Sequence, residues 1–282
     1  MNVLSLFDGM SCGQLALKRA RIHVNKYFAS EIKPIAIKTT QFNFPDTVQL
    51  GDVTKIRASA LPKIDLLIGG SPCQDLSSAM KDRESLQGDQ SKLFYEYVRL
   101  LKECQPKYFL LENVGLMDSE SSFAISEILD CDPVRINSEL VSAQMRDRLY
   151  WTNIPGDELT IFWNKRISQP KDRKIRLQDI LENGYTDREK ARCLLVSDSR
   201  PLATPEKMLH RYRDTGFTTL IFNSPDFDLD KGVRYMTQTE LERCQTVPEG
   251  YTKNLTRNEA ADLLGDGWTI EVIAWIFKGL ST

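Results

Sequence analysis

Over residues 1–114 short, almost continuously apolar runs alternate with stretches of helical spacing, and this restricts the fold more than any other feature of the chain. The runs NVLSLF (2–7), KYFAS (26–30), DTVQL (46–50), IDLLIG (64–69) and KYFLLEN (107–113) read as buried strands. Between them SCGQLALKRA, KPIAIKTTQFN and SKLFYEYVRLLKEC carry helical spacing. Such alternation implies a parallel sheet with helices on both faces. Ligands of these sheets bind beyond the carboxyl ends of the strands, so the residues that close each run are the first functional candidates.

Each run closes on something chemically distinctive. The first leads into FDGMSCG, where Gly9 and Gly13 let backbone approach a ligand near a helix N-terminus. The second ends on Glu31, an acid placed to accept hydrogen bonds from ribose hydroxyls. The third ends on Asp52, placed to receive an adenine amino group. Acids at these positions, with no basic phosphate ligand, favour a nucleoside cofactor without a phosphate chain. S-adenosylmethionine fits that description better than NAD or ATP. The fourth run ends in GGSPCQDLS, where two glycines and Pro72 present Cys73 on a stiff loop. The fifth closes on Glu112. A thiol nucleophile and a carboxyl group beside a nucleoside cofactor point to attack on an electron-poor ring.

The pattern changes after residue 156. NKRISQPKDRKIR (164–176) is densely basic, and the chain stays irregular to about residue 235, with turn signals at ENG, RDTG and NSPD. The expected division is a catalytic domain over 1–163 and 251–282 and a recognition region over 164–250, the apolar end WTIEVIAWIFKGL packing on the first core. Six cysteines are scattered without a C-x-x-C pair, which argues against a zinc site or a disulfide framework and for a reducing compartment. No apolar run approaches the ~18 residues a membrane span needs, and the N-terminus lacks the basic start of a secretory signal. The net charge of −2 gives no general attraction to nucleic acid, so such binding has to come from a local basic patch.

Taken in order, FDG-x-x-x-G, SEI, GDV, GGSPCQ, ENV and Q-x-R-x-R (QMRDRLYW, 144–151) resemble the motif series of the DNA cytosine-5 methyltransferases. RYMTQTELERCQTVPEG (234–250) and LLGDGWTIEVI (263–273) resemble the family's closing motifs, so the likeness covers nearly the whole chain. The pattern is most similar to the vertebrate de novo enzymes and their bacterial and phage relatives. The resemblance implies a Rossmann-like, S-adenosylmethionine-dependent α/β fold with a mostly parallel sheet and a small irregular target-recognition domain. It also implies methyl transfer to C5 of a flipped-out cytosine in double-stranded DNA. By the same resemblance Cys73 is the nucleophile that adds to C6, Glu112 hydrogen-bonds N3 and the exocyclic amine, and Arg146 and Arg148 hold the base and order the Cys73 loop. Phe7, Asp8, Gly9, Met10, Cys12, Gly13, Glu31, Ile32, Asp52, Val53, Gly70, Leu93 and Trp268 fall where the family lines its cofactor pocket. Gln74, Ser77, Lys171, Arg173, Lys174 and Arg234 are the DNA-contact candidates. No metal is implied. The expected setting is the cytoplasm of a bacterial or phage-infected cell, as a restriction-modification or orphan enzyme. Two alternatives remain: a tRNA cytosine-5 methyltransferase, disfavoured by Ser71 where those relatives usually carry proline, and an inactive DNA-binding homologue.

Overall fold

In a computed structural model, which describes residues 1–71, 89–159, 165–195, 204–215 and 218–281, the five apolar runs become five parallel strands. These are β1 (Asn2–Leu6), β2 (Lys26–Ser30), β3 (Val48–Gln49), β4 (Leu66–Gly69) and β5 (Tyr108–Val114). With β6 (Val134–Asn137) and β7 (Asp147–Thr152) they form one seven-stranded sheet in the order β3-β2-β1-β4-β5-β7-β6, β7 running antiparallel to β5. The strand order reverses between β1 and β4, and that reversal opens a ligand crevice at the carboxyl ends.

Both faces of the sheet are buried, which is why the strands read as continuous apolar runs. Leu4, Leu6, Phe28, Leu67, Phe109 and Leu111 share one core with Phe94, Tyr97 and Val98 of α3 (Asp89–Cys104) and Ile125 and Leu129 of α4 (Ser119–Leu129). The alternate residues Val3, Tyr27, Ala29, Ile68 and Leu110 are also buried. On their side α1 (Cys12–Arg19) lies close to the sheet, because a Cβ on Gly13 would sit 2.6 Å from the Tyr27 hydroxyl. Any larger residue at position 13 would have to displace the Tyr27 and Ile68 side chains. α2 (Pro34–Asn43) follows β2, with Pro34 in its first turn where no amide donor is needed.

The chain divides into two units, 1–136 with 147–169 and 274–282, and 137–146 with 170–273. This grouping differs from the expected boundaries: 137–146 and 251–273 fall in the second unit and 165–169 in the first. The reasons are specific bonds. The buried Glu242 carboxylate accepts the amides of Gly250 and Thr252 at 2.7 Å each, and Gln245 Nε2 donates to the Leu264 carbonyl at 2.6 Å. Ser138 Oγ lies 2.9 Å from Thr269 Oγ1. In the first unit β8 (Glu158–Leu159) pairs with β9 (Lys165–Arg166), and Trp275 Nε1 donates to the Ser168 carbonyl at 2.8 Å. The expected terminal helix is α8 (Ile270–Phe277), whose residues from 274 onward fall in the first unit.

The second unit has little sheet, only β10 (Ile221–Phe222) antiparallel to β11 (Val233–Arg234) among the described residues. Its helices are α5 (Pro205–His210), α6 (Gln238–Cys244) and α7 (Arg257–Asp266). Capping boxes start the last two, at Thr237 with Glu240 and at Thr256 with Glu259. Among the described residues no helix is long and apolar enough to cross a membrane.

Candidate active site

The tips of β1, β2 and β3 form one connected polar edge. Asp8 is buried directly after β1 and accepts hydrogen bonds from the Tyr27 hydroxyl at 2.8 Å and from Ser11 Oγ. Burial raises its pKa to about 6 against the opposing hydrogen bonds of Ser11, Ser5 and Tyr27, and the charge of Glu31 adds to the rise. The Glu31 carboxylate accepts the amides of Gly9 at 2.7 Å, Ile32 at 2.7 Å and Lys33 at 2.8 Å. An ionised carboxylate has about four acceptor positions, so three fixed amides orient it and leave room for one more donor. At the third tip Asp52 accepts the amide and hydroxyl of Thr54 at 3.0 and 2.8 Å, which lowers its pKa. Val53 behind it is buried, and its carbonyl accepts from Arg99 of α3 at 3.3 Å.

Gly9 and Gly51 have φ of +57° and +71°, and no heavy atom lies within 4 Å of where a Cβ would stand. Glycine is needed there for the backbone turn, and the space over it is open. Ile32, between these tips in sequence, is 71% exposed. Phe7 has φ of 56°, Met10 and Cys12 are buried, and Phe7 and Leu93 pack against the core beneath. Asp52 also lies 3.7 Å from Lys55 Nζ. Open backbone, an exposed aliphatic side chain and the two acids suit a nucleoside of neutral or positive charge.

At the fourth and fifth tips Glu112 of β5 pairs with Arg148 of β7, Nε to Oε1 at 2.9 Å, and both side chains are largely buried. The antiparallel register puts Glu112 opposite Tyr150 and Val114 opposite Arg148, so the two charged groups meet on one face of the sheet. Asn113 donates from Nδ2 to the carbonyl of buried Ser71 at 3.1 Å. The chain leading to the nucleophile candidate is therefore tied to the strand that carries Glu112, with Gly70 just ahead of the tie. No signal in the sequence marked Asn113 beyond its place in LLEN. Cys73, Gln74 and Ser77 lie outside the described residues. Burial pushes the thiol of Cys131 to about 11 and that of Cys244 to about 12, and raises that of Cys104, so none of the three suits nucleophilic work.

Two expected site residues have structural partners in the second unit. Arg146, only two residues from Arg148, belongs to the second unit and is buried there. Its guanidinium donates to the carbonyls of Leu194 at 3.2 Å, Gly265 at 3.0 Å and Gly267 at 2.8 Å. It fixes the turn that precedes Trp268, also in that unit. Arg234 is engaged within the second unit. All five of its donor positions are committed, to Glu240 at 2.7 and 2.8 Å, to Asn183 and to the Tyr235 carbonyl. Lys171 and Lys174 are exposed, whereas half-exposed Arg173 pairs with Glu271 at 2.5 Å.

A mostly parallel sheet reversing between β1 and β4, with its acids at the strand tips, has the architecture of the Rossmann-like methyltransferases. The solved Dnmt2 methyltransferase of S. pombe matches at a TM-score of 0.70 and 18% identity, over 99% of this chain and 97% of that one. The Entamoeba histolytica methyltransferase EhMeth matches at 0.72 and 19%, over 99% and 98%. At such identities the likeness is one of fold. Residues 1–130, which carry all five tips, match the model of the C-5 cytosine-specific DNA methylases, and the family resemblance holds there. The orphan methyltransferase M.SPRI of Bacillus phage SPR is 34% identical over 65% of this chain and 43% of its own length. The type II methyltransferase M1.ScrFI of Lactococcus lactis subsp. cremoris is 32% identical over 66% and 50%. The matches thus span half or less of these relatives' lengths.

Proposed function

We propose that the protein transfers a methyl group from S-adenosylmethionine to C5 of a cytosine extruded from double-stranded DNA. The observation that carries this reading is the Glu112–Arg148 pair on the strand that also ties down Ser71, two residues ahead of Cys73. The cofactor supplies an electrophilic methyl group. Glu31 and Asp52 would hold its hydroxyls and amine, Ile32 would lie against its base, and the Gly9 turn would let it approach the backbone.

Cys73, as thiolate, would bond to C6 of the extruded base and make C5 nucleophilic. Glu112, oriented by Arg148, would hydrogen-bond N3 and the exocyclic amine and stabilise the charge that develops there. After C5 takes the methyl it releases its own proton, and the Cys73–C6 bond breaks to restore the thiolate. Arg146 would act indirectly by fixing residues 265–267. The second unit would bind duplex DNA, with Lys171 and Lys174 binding phosphates.

Bisulfite sequencing of DNA and of RNA from cells expressing the wild type or Cys73→Ser tests this. Cytosines protected at a defined sequence by the wild type alone are expected. No protection by the wild type would overturn the reading, and protection confined to RNA would move the substrate to tRNA.

A further inference from the structure

Beyond Glu112 the chain makes a tight, firmly held turn that exposes apolar side chains at the rim of the candidate site. Val114 lies on the same face of β5 as Glu112, one step further out and opposite Arg148, and is 48% exposed. Leu116, at the crest of the turn, is 92% exposed. The turn itself is rigid: Met117 N donates to the Val114 carbonyl at 3.3 Å, and Gly115 N to the Asp147 carbonyl at 3.0 Å. A Cβ on Gly115 would fall 2.6 Å from Asp147 Cγ, so only glycine lets the turn lie this close. Arg135 holds the Asp147 carboxylate through Nε, 3.0 and 2.9 Å from its two oxygens. The Asp118 side chain then caps α4 by accepting the amide of Ser121 at 2.8 Å. The amides on either side of Leu116 are hydrogen-bonded, and its side chain is left exposed.

We infer that Leu116 is a wedge that packs against the base or sugar flanking the extruded cytosine and stabilises the unstacked duplex. The inference rests on the proposed function, which puts the target base at Glu112, four residues away. It commits to DNA as the occupant because the lip is continuous with that site on the same strand. An apolar side chain held rigidly beside an extruded base makes up for stacking that the flipped base no longer provides. Val114 would support it from the strand, and Arg135 with Asp147 would act as positioning residues.

Once the methylated sequence is known, two duplexes discriminate, one with the target cytosine paired to guanine and one with it opposite an abasic site. On the paired duplex Leu116→Ser should lower kcat/KM about tenfold, with S-adenosylmethionine affinity unchanged. On the abasic duplex, where unpairing is already done, it should recover to within about twofold of the wild type. Arg135→Gln should show the same split in weaker form. Equal loss on both duplexes, or no loss on either, would overturn the wedge. A wild type inactive on both would instead bring down the reading beneath it.

Discussion

The two units are held together by different means. In the first, backbone ladders satisfy the polar groups and the side chains between them are hydrocarbon, as in the core of Leu4, Leu67, Leu111 and Trp151. In the second, with little sheet, side chains satisfy the backbone. Lys190 Nζ donates to the carbonyls of Glu139, Ser142 and Ile175 at 2.7, 2.9 and 2.6 Å. Arg146 serves three further carbonyls. Gln144 Nε2 bonds the Cys244 carbonyl and Gln245 Oε1 at 2.9 Å each. Glu240, fully buried, accepts Arg234 together with the amides of Glu182 at 2.9 Å and Thr237 at 2.8 Å. A cation in the first unit's sheet would be an anomaly to explain by function. In the second unit cations are ordinary structural parts, and charge alone says little about what they bind.

The largest consequence concerns Glu240. Replacing it with alanine leaves the Arg234 charge and two amides without their partner, and loss of one member of a buried pair costs about 3–5 kcal/mol. Hydrogen exchange should show protection lost across 170–273 while β1, β4 and β5 stay protected. Uniform loss in both units would break the contrast between them.

The same contrast explains what could be read in advance. The five parallel strands came out within a few residues, because burial on both faces writes itself as apolar runs. The positions of Glu31, Asp52 and Glu112 at strand tips were legible because each closes such a run, whereas Asp8 entered only through the family resemblance. The structural partners of Arg146, the carbonyls at 265 and 267, were not legible because they are backbone atoms far along the chain. Those of Arg234 were legible only in part, because beside nearby Glu240 it holds the carbonyl of Asn183, 51 residues away. Asn113 escaped notice because its partner is also a backbone carbonyl. The grouping differs at 251 for a related reason: bonds from Glu242 and Gln245 tie the chain past the recognition motif to the second unit.

A smaller effect belongs to the first unit, where Asp8 is a buried carboxyl beside an apolar core. Its pKa is about 6 in the folded protein against 3.8 for the unconstrained side chain. A carboxyl whose pKa is raised by folding contributes stability that is fully present below pH 3.8 and is lost as the pH rises through 6. At about 1.4 kcal/mol per pH unit, Asp8→Asn should remove about 3 kcal/mol of decline in unfolding free energy over that interval. Denaturant titrations of both proteins from pH 4 to pH 7 would show it, and parallel profiles would refute the burial of a charge at this tip.

The smallest effect on stability, within about 0.5 kcal/mol, is expected for Lys171→Ala with Lys174→Ala, since both side chains are exposed. Their influence should appear instead in DNA binding, where the slope of log affinity against log salt should shallow by about 0.9 for each phosphate the protein no longer neutralises. Arg234→Ala should do the reverse, destabilising the second unit. If the lysine pair left the salt slope unchanged, the DNA surface would have to lie elsewhere in that unit.

The central claim is a covalent bond between Cys73 and C6 of an extruded cytosine, and one measurement reaches it directly. DNA carrying 5-fluorocytosine at the methylated position has no proton to release from C5, so the reaction should stop after methyl transfer. Incubation with S-adenosylmethionine should then leave a protein–DNA adduct stable to denaturant, and peptide mass spectrometry should place it on Cys73. A wild type that methylates ordinary DNA yet yields no adduct, or an adduct on any other residue, would contradict the covalent mechanism.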